Sequence, residues 1–157
     1  VYKIQSKLWD PQNEHFYNSD EFSGVLIRVP TSACFLPLFA GLAGNEQVSK
    51  MVSTLENWRD QKFLLVPSTA PDEPSCEPER YWRGPVWPHI NWMICEGLSD
   101  YGFDDLSRKI RIQTLELISK LGFHEYYHPL GESGLGGSSF SWTAAVCLIW
   151  GNSNNTR

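Results

Sequence analysis

The chain has 157 residues, enough for one domain with a core of its own, and its 41% hydrophobic and 20% charged content is ordinary for a globular protein. A formal charge of -5 and a pI near 5.3 exclude the basic stripe that a nucleic-acid surface needs. No run reaches membrane-span length and no signal-peptide pattern opens the sequence, so the expectation is a soluble protein with neither nucleic acid nor membrane as partner.

Val1 to Trp9 reads as the tail of a helix, with Ile4 and Leu8 on one face and Asp10-Pro11 stopping it, as if the sequence had been cut into. Short extended pieces follow at 15–18 and 25–29. Thr31 or Ser32 caps a helix over 32–43 that is apolar nearly all round and hence buried, bent at Pro37 and closed by Gly44. Asn45 opens a different helix, over 45–61, in which Val48, Met51, Val52, Leu55 and Trp58 recur at helical spacing against charged residues.

Between Leu64 and Arg80, Pro67, Pro71, Pro74 and Pro78 stand among acidic residues and predict a long irregular loop, a kind of segment that often carries function. Pro88 suits the first turn of the next helix, whose Ile90, Met93, Ile94, Leu98 and Tyr101 form a stripe, with Trp92 off it and Gly102 at the end. Asp104 or Asp105 starts an amphipathic helix with Leu106, Ile110, Leu117, Ile118 and Leu121 inward, terminated by Gly122. Residues 123–127 read as extended, the glycine-rich 131–137 as a loop and 140–150 as a short apolar helix. The last residues read as a frayed tail carrying a weak Asn154-Asn155-Thr156 sequon.

This alternation of buried and half-wet helices predicts an all-α fold of stacked helical hairpins with short extended pieces in the loops, one unit over 1–151 and a tail over 152–157. Cys34, Cys76, Cys95 and Cys147 lack any CxxC spacing and read as buried free thiols, which favours a reducing, cytoplasmic setting and leaves a disulfide through Cys76 open.

The densest stretch is Tyr81-Trp-Arg-Gly-Pro-Val-Trp-Pro-His-Ile-Asn-Trp92, with three tryptophans, an arginine and two prolines. Flat indole faces, a rigid fork of guanidinium donors and a stiffened backbone suit a sugar platform. They suit equally a buried aromatic corner in which Arg83 ties down loop carbonyls.

His124-Glu125-Tyr126-Tyr127-His128 matches HExxH, the helical zinc-peptidase pattern. Gly122 ends a helix just upstream and Pro129 biases His128 away from helical dihedrals, which removes the i, i+4 geometry. No Asp, Glu or His follows Glu132 to complete a ligand set. The other reading makes Glu125 a carboxylate on an extended segment beside aromatic residues, tuned for general-base work. Glycoside hydrolysis needs two such groups, an acid for the leaving oxygen and a second carboxylate that attacks or activates water. The bland reading is that Glu125 and Glu132 accept hydrogen bonds in a tight loop.

The stretch 81–92, together with Phe123-His-Glu-Tyr-Tyr-His-Pro-Leu-Gly-Glu-Ser-Gly-Leu-Gly-Gly and the following Phe140-Ser-Trp-Thr-Ala-Ala145, resembles the C-terminal half of glycoside hydrolase family 63. Leu8-Trp-Asp10 and Phe16-Tyr17 resemble the family's turn into this half, so the similarity spans most of 8–150. The resemblance implies a partial (α/α)6 toroid and inverting hydrolysis of an α-glycosidic bond in an oligosaccharide or other glycoside, without metal or organic cofactor. It further implies that Glu125 is the general base and that Trp82, Arg83, Gly84, Trp87 and Asn91 line the sugar pocket. Trp82 and Trp87 would stack or wall, Arg83 would orient the sugar or Glu125, and Trp142 would close the floor. Tyr126 and His128 would act as supports.

The resemblance implies that the general acid, an aspartate in a Gly-x-Asp type motif, belongs to the N-terminal half of the barrel, outside the half that these residues resemble. A ring of twelve helices against five or six here implies a large apolar wall, to be covered by a missing N-terminal half-barrel or by self-association. The expectation is therefore a base-bearing glycosidase fragment, inactive or nearly so alone. A non-catalytic carbohydrate-binding half-barrel is the alternative from a different class, and a zinc peptidase the remote one.

Overall fold

A computed structural model of the chain describes residues 2–60, 63 and 65–152. Among them are six α-helices and six short strands. The N-terminal part runs through α1 (Tyr2–Leu8), β1 (Trp9–Asp10), β2 (His15–Phe16), β3 (Asn18–Ser19) and β4 (Leu26–Ile27). The strands pair locally as β1–β2 and β3–β4 antiparallel ladders. Asp10 anchors the first turn: its carboxylate accepts from the backbone N–H of Gln12 (2.9 Å), the Asn13 side-chain amide (3.0 Å) and Arg28 Nε (2.7 Å). The Arg28 contact and the amide donors hold its pKa at about 2.

The helix expected over 32–43 is much shorter. A 3₁₀ turn at Ser32–Phe35 passes into the one-turn α2 (Leu36–Phe39), where Pro37 sits in the first turn, the place where its missing N–H costs nothing. Phe35 and Leu38 are buried, whereas Phe39 is left partly exposed. Next, α3 (Asn45–Asp60) carries the predicted stripe, with Val48, Met51, Val52, Leu55 and Trp58 all buried. The predicted end of this helix at 61 lies outside the described residues, as do the start of the proline-rich loop at 64 and the 153–157 portion of the tail with its sequon.

After the loop, α4 (Pro88–Asp100) is the central helix, packing against α2, against α5 (Asp104–Leu121) and against α6 (Ser141–Asn152). Its buried face is Asn91, Ile94, Cys95 and Leu98, rotated from the predicted stripe because Ile90 and Met93 stay only half-buried. Gly97 permits the close approach of α2: a Cβ there would lie 2.5 Å from the Phe39 nitrogen. As expected, α5 begins at Asp104; Phe103 precedes it without a side-chain cap, and Asp104 and Asp105 both fall inside the first turn, where carboxylates favour the helix dipole.

The predicted extended segment is β5 (His124–Tyr127), and the supposed glycine loop is its partner β6 (Gly134–Ser138), joined as an antiparallel hairpin. Glycine is a poor strand former, so composition alone pointed to a loop; pairing with β5 overrides it. The described residues thus form a mainly helical fold with three separate two-stranded pairs.

Among the described residues no helix is long and apolar enough to cross a membrane. The four cysteines are free, although Cys76 and Cys147 are half-buried and only Cys34 and Cys95 fully so. Burial pushes the Cys34 thiol up to about 11 and the Cys95 thiol up to about 12, which keeps both protonated and inert.

Candidate active site

Two motifs distant in sequence are joined at the backbone by Val86 and Tyr127. Val86 and Tyr127 exchange backbone hydrogen bonds, Val86 N–H to the Tyr127 carbonyl at 2.8 Å and Tyr127 N–H to the Val86 carbonyl at 2.9 Å. Tyr127 is fully buried, its hydroxyl donating to the Gly122 carbonyl at 2.5 Å and accepting the His124 N–H at 3.1 Å, so the start of β5 is fixed to the end of α5. Burial pushes the Tyr127 phenol up, leaving it a neutral donor.

On the other side, Pro88 forces the preceding Trp87 into an extended conformation (φ -110°, ψ 114°) and starts α4. The loop before it is held by buried polar groups. Ser68 Oγ accepts the Gly84 N–H at 2.8 Å, the Thr69 hydroxyl donates to the Trp82 carbonyl at 3.1 Å, and the Pro67–Val86 and Thr31–Thr69 bridges tie its strands down.

The aromatic rings form three layers. Trp82 lies flat on Trp87, centroids 4.0 Å apart and planes within 4°, and Trp87 lies on Tyr126 at 4.8 Å. Trp87 is sealed inside, whereas Trp82 is 43% exposed and offers its outer surface. At the edge of this stack stands His89, 4.8 Å from Trp142, itself 53% exposed at the start of α6. His89 therefore bridges the Trp82 stack and Trp142, and its burial pushes its pKa down, favouring the neutral imidazole.

Glu125 projects from β5 beside this stack, half-buried. The β5–β6 ladder loses register between His124 and Tyr126, so that Gly136 and Gly137 both oppose Glu125. Such a bulge re-aims a side chain. Gly136 adopts φ +70°, and a Cβ there would lie 2.6 Å from Glu125 Oε2 and 2.7 Å from the Tyr126 ring. Gly137 N–H donates to Oε2 at 3.3 Å, and the Tyr81 hydroxyl donates to Oε1 at 3.5 Å. The arrangement leaves an open carboxylate, held on both oxygens, next to aromatic faces that fit the apolar side of a pyranose ring.

Of the residues predicted for the site, Trp82, Arg83 and Trp142 are exposed and Glu125 is half-buried. Trp87 is the buried middle layer and presents no face outward. Asn91 is fully buried and spent on architecture, its Nδ2 donating to the carbonyls of Val66 (3.0 Å) and Trp87 (3.2 Å) while Oδ1 accepts the Val66 N–H at 3.1 Å. Gly84 is packed backbone, since a Cβ would come 2.6 Å from the Glu77 carbonyl oxygen. Arg83 pairs with Glu77 at 3.2 Å and not with Glu125.

Tyr126 supports the stack from below, and His128 is buried, accepting the Leu130 N–H at 3.3 Å and lying 3.6 Å from Glu132. The HExxH pentapeptide runs along a strand, which removes the helical i, i+4 geometry of the zinc reading, and no cluster of three or more metal-ligating side chains occurs among the described residues. Sequence reasoning missed Tyr81, His89 and the pair Gly136–Gly137. A tyrosine beginning the aromatic motif and a histidine within it carry no spacing signal, and the glycines acquire meaning only once the hairpin register is known.

Residues 2–143 match the family model of the mannosylglycerate hydrolase MGH1-like glycoside hydrolase domain. The chain belongs to that family. It is 45% identical over 143 residues to the mannosylglycerate hydrolase of Thermus thermophilus, covering 91% of this chain and 34% of the relative. It is 44% identical to mannosylglycerate hydrolase MGH1 of Selaginella moellendorffii, covering 91% and 29%. A crystal structure of the family 63 mannosylglycerate hydrolase from Thermus thermophilus, in complex with glucose, superposes with a TM-score of 0.90 at 44% identity over 93% of this chain and 37% of that one. Neutral trehalase from Saccharomyces cerevisiae matches in fold, with a TM-score of 0.76 at 21% identity over 99% of this chain and 29% of that one. This MGH1-like chain thus spans about a third of the length of the curated relatives it matches.

Proposed function

We propose that this chain is the base-bearing part of an inverting α-glycosidase and forms part of an (α/α)6 toroid. Glu125 is the general base: it takes a proton from water as the water oxygen attacks the anomeric carbon, while an acid protonates the departing oxygen on the opposite face and the configuration inverts. The exposed face of Trp82 and the indole of Trp142 hold the sugar. The substrate class is a hexosyl glycoside of a small hydroxy acid, a reading supported by the names of relatives that include a glucosylglycerate hydrolase at 36% identity. The general acid comes from outside these residues, supplied by another part of the polypeptide or by a second chain. The apolar side chains left exposed on α6, Leu148 (67%) and Ile149 (44%), support a covered face there.

The observation that carries this reading is the Glu125 carboxylate, held by Gly137 N–H and the Tyr81 hydroxyl beside the Trp82–Trp87–Tyr126 stack. In a complete enzyme, for instance one in which this chain replaces the aligned third of the Thermus thermophilus relative, Glu125→Gln lowers turnover by roughly 10²–10⁴ and leaves sugar affinity largely intact. Unchanged turnover sinks the base assignment. Proton NMR of the first product formed shows the inverted anomer, and a retained anomer removes the inverting mechanism. The same assay tests the non-catalytic alternative that the exposed Trp82 face would also serve, since a pure binding module shows affinity without turnover in any assembled form.

A further inference from the structure

Tyr81 is the residue of the site whose conformation packing does not explain. Its φ of 39° lies in the left-handed region, where a residue with a side chain is disfavoured and where strain clusters at functional positions. Burial does not offset this, because Tyr81 remains 49% exposed. The surroundings nevertheless hold the conformation firmly. The indole N–H of the sealed Trp87 donates to the Tyr81 carbonyl at 3.2 Å, and the Tyr81 ring stands edge-on to Trp82, Trp87 and Tyr126 at 5.8, 5.0 and 5.5 Å. What this strained placement delivers is the phenolic O–H at Glu125 Oε1.

Resting on the assignment of Glu125 as base, we infer that Tyr81 is its positioning residue: the tyrosine hydroxyl holds Oε1 while Gly137 N–H holds Oε2, fixing the carboxylate plane against the Trp82 platform. A carboxylate has about four lone-pair sites, so two donors leave it free to receive a proton from water. Tyr81 itself neither gives nor takes a proton in this step. The proton passes from the attacking water to Glu125, and the new C–O bond forms as the glycosidic C–O bond breaks. The preorganisation is built by the aromatic motif, since the same Trp87 that underlies the sugar platform locks the tyrosine backbone. A small error in the position of a reacting group is enough to cost a large part of the rate.

The test uses the complete enzyme. Tyr81→Phe keeps every ring contact and removes only the O–H; kcat falls roughly ten-fold or more, KM stays within about two-fold, and the thermal midpoint is unchanged. In a Glu125→Gln background the same substitution adds no further loss, because a residue that acts through Glu125 has nothing left to act on. A wild-type kcat in Tyr81→Phe, a rise in KM alone, or a further ten-fold loss in the Glu125→Gln background overturns the inference. If Tyr81→Phe folds poorly, Tyr81→Gly relieves the backbone strain, and its kcat must still fall by at least the same factor. Full turnover in Glu125→Gln defeats the base assignment itself, whereas an inactive Glu125→Gln beside a fully active Tyr81→Phe defeats only the positioning role.

Discussion

The loop that ends at Trp87 and the hairpin of β5 and β6 meet at the Val86–Tyr127 pair, yet they use their unusual residues for opposite ends. In and against the loop, Ser68, Thr69 and Gly84, with Asn91 reaching in from α4, are buried or packed and satisfy backbone groups that irregular structure would otherwise leave unpaired. In the hairpin, Gly136 and Gly137 serve the carboxylate. They clear space for the Glu125 carboxylate and give it one donor. Polar residues of a motif can therefore be architectural while its featureless glycines shape the site.

The sharpest way to break this contrast is Asn91→Ala. It strands the Val66 N–H and C=O in the core and should cost about 3 kcal/mol of stability, read as a fall in the denaturation midpoint. An effect on KM without loss of stability would instead support the expectation that Asn91 lines a sugar pocket. Next in size is Gly136→Ala, which must displace Glu125 and Tyr126 from a position at φ +70°. We expect about a 100-fold loss in kcat with a smaller change in stability, and equal losses of both would make the hairpin architectural too. Trp82→Ala removes only the outer layer of the stack and should weaken sugar affinity about ten-fold by calorimetry while the protein stays folded.

The smallest effect lies far from both regions. Because the Arg28 contact and the amide donors lower the Asp10 pKa from 3.8 to about 2, its stabilisation is complete above about pH 4 and is lost as pH falls through about 2. Urea titrations across that window should show this slope in the wild type and its absence in Asp10→Asn.

Much of the helical frame was legible because it rests on periodicity. Val48 to Trp58 repeat at helical spacing and all face the core, and Pro88, Gly102 and Gly122 mark boundaries that the structure keeps. Where an element is short the sequence misled. The 32–43 run has the apolar content of a buried helix, but only one α turn follows the 3₁₀ segment, because so few residues are shaped by what α4 presents to them and not by their own period. The rotation of the α4 stripe has the same origin: the helix is contacted by α2, α5 and α6, so partner positions decide which residues are sealed.

The sequence by itself determined which residue types could carry sugar chemistry, the aromatic motif and the carboxylate at Glu125, and the extended state of that carboxylate's segment, since Gly122 and Pro129 are local constraints on dihedral angles. Only the tertiary structure decided how those residues divide the work. Burial sorted Trp87 from Trp82 and sealed Asn91 in the core, strand register brought Gly136 and Gly137 to Glu125, and the Val86–Tyr127 pair brought Tyr81 there. Those outcomes depend on contacts between residues far apart in the chain, and no local pattern encodes them.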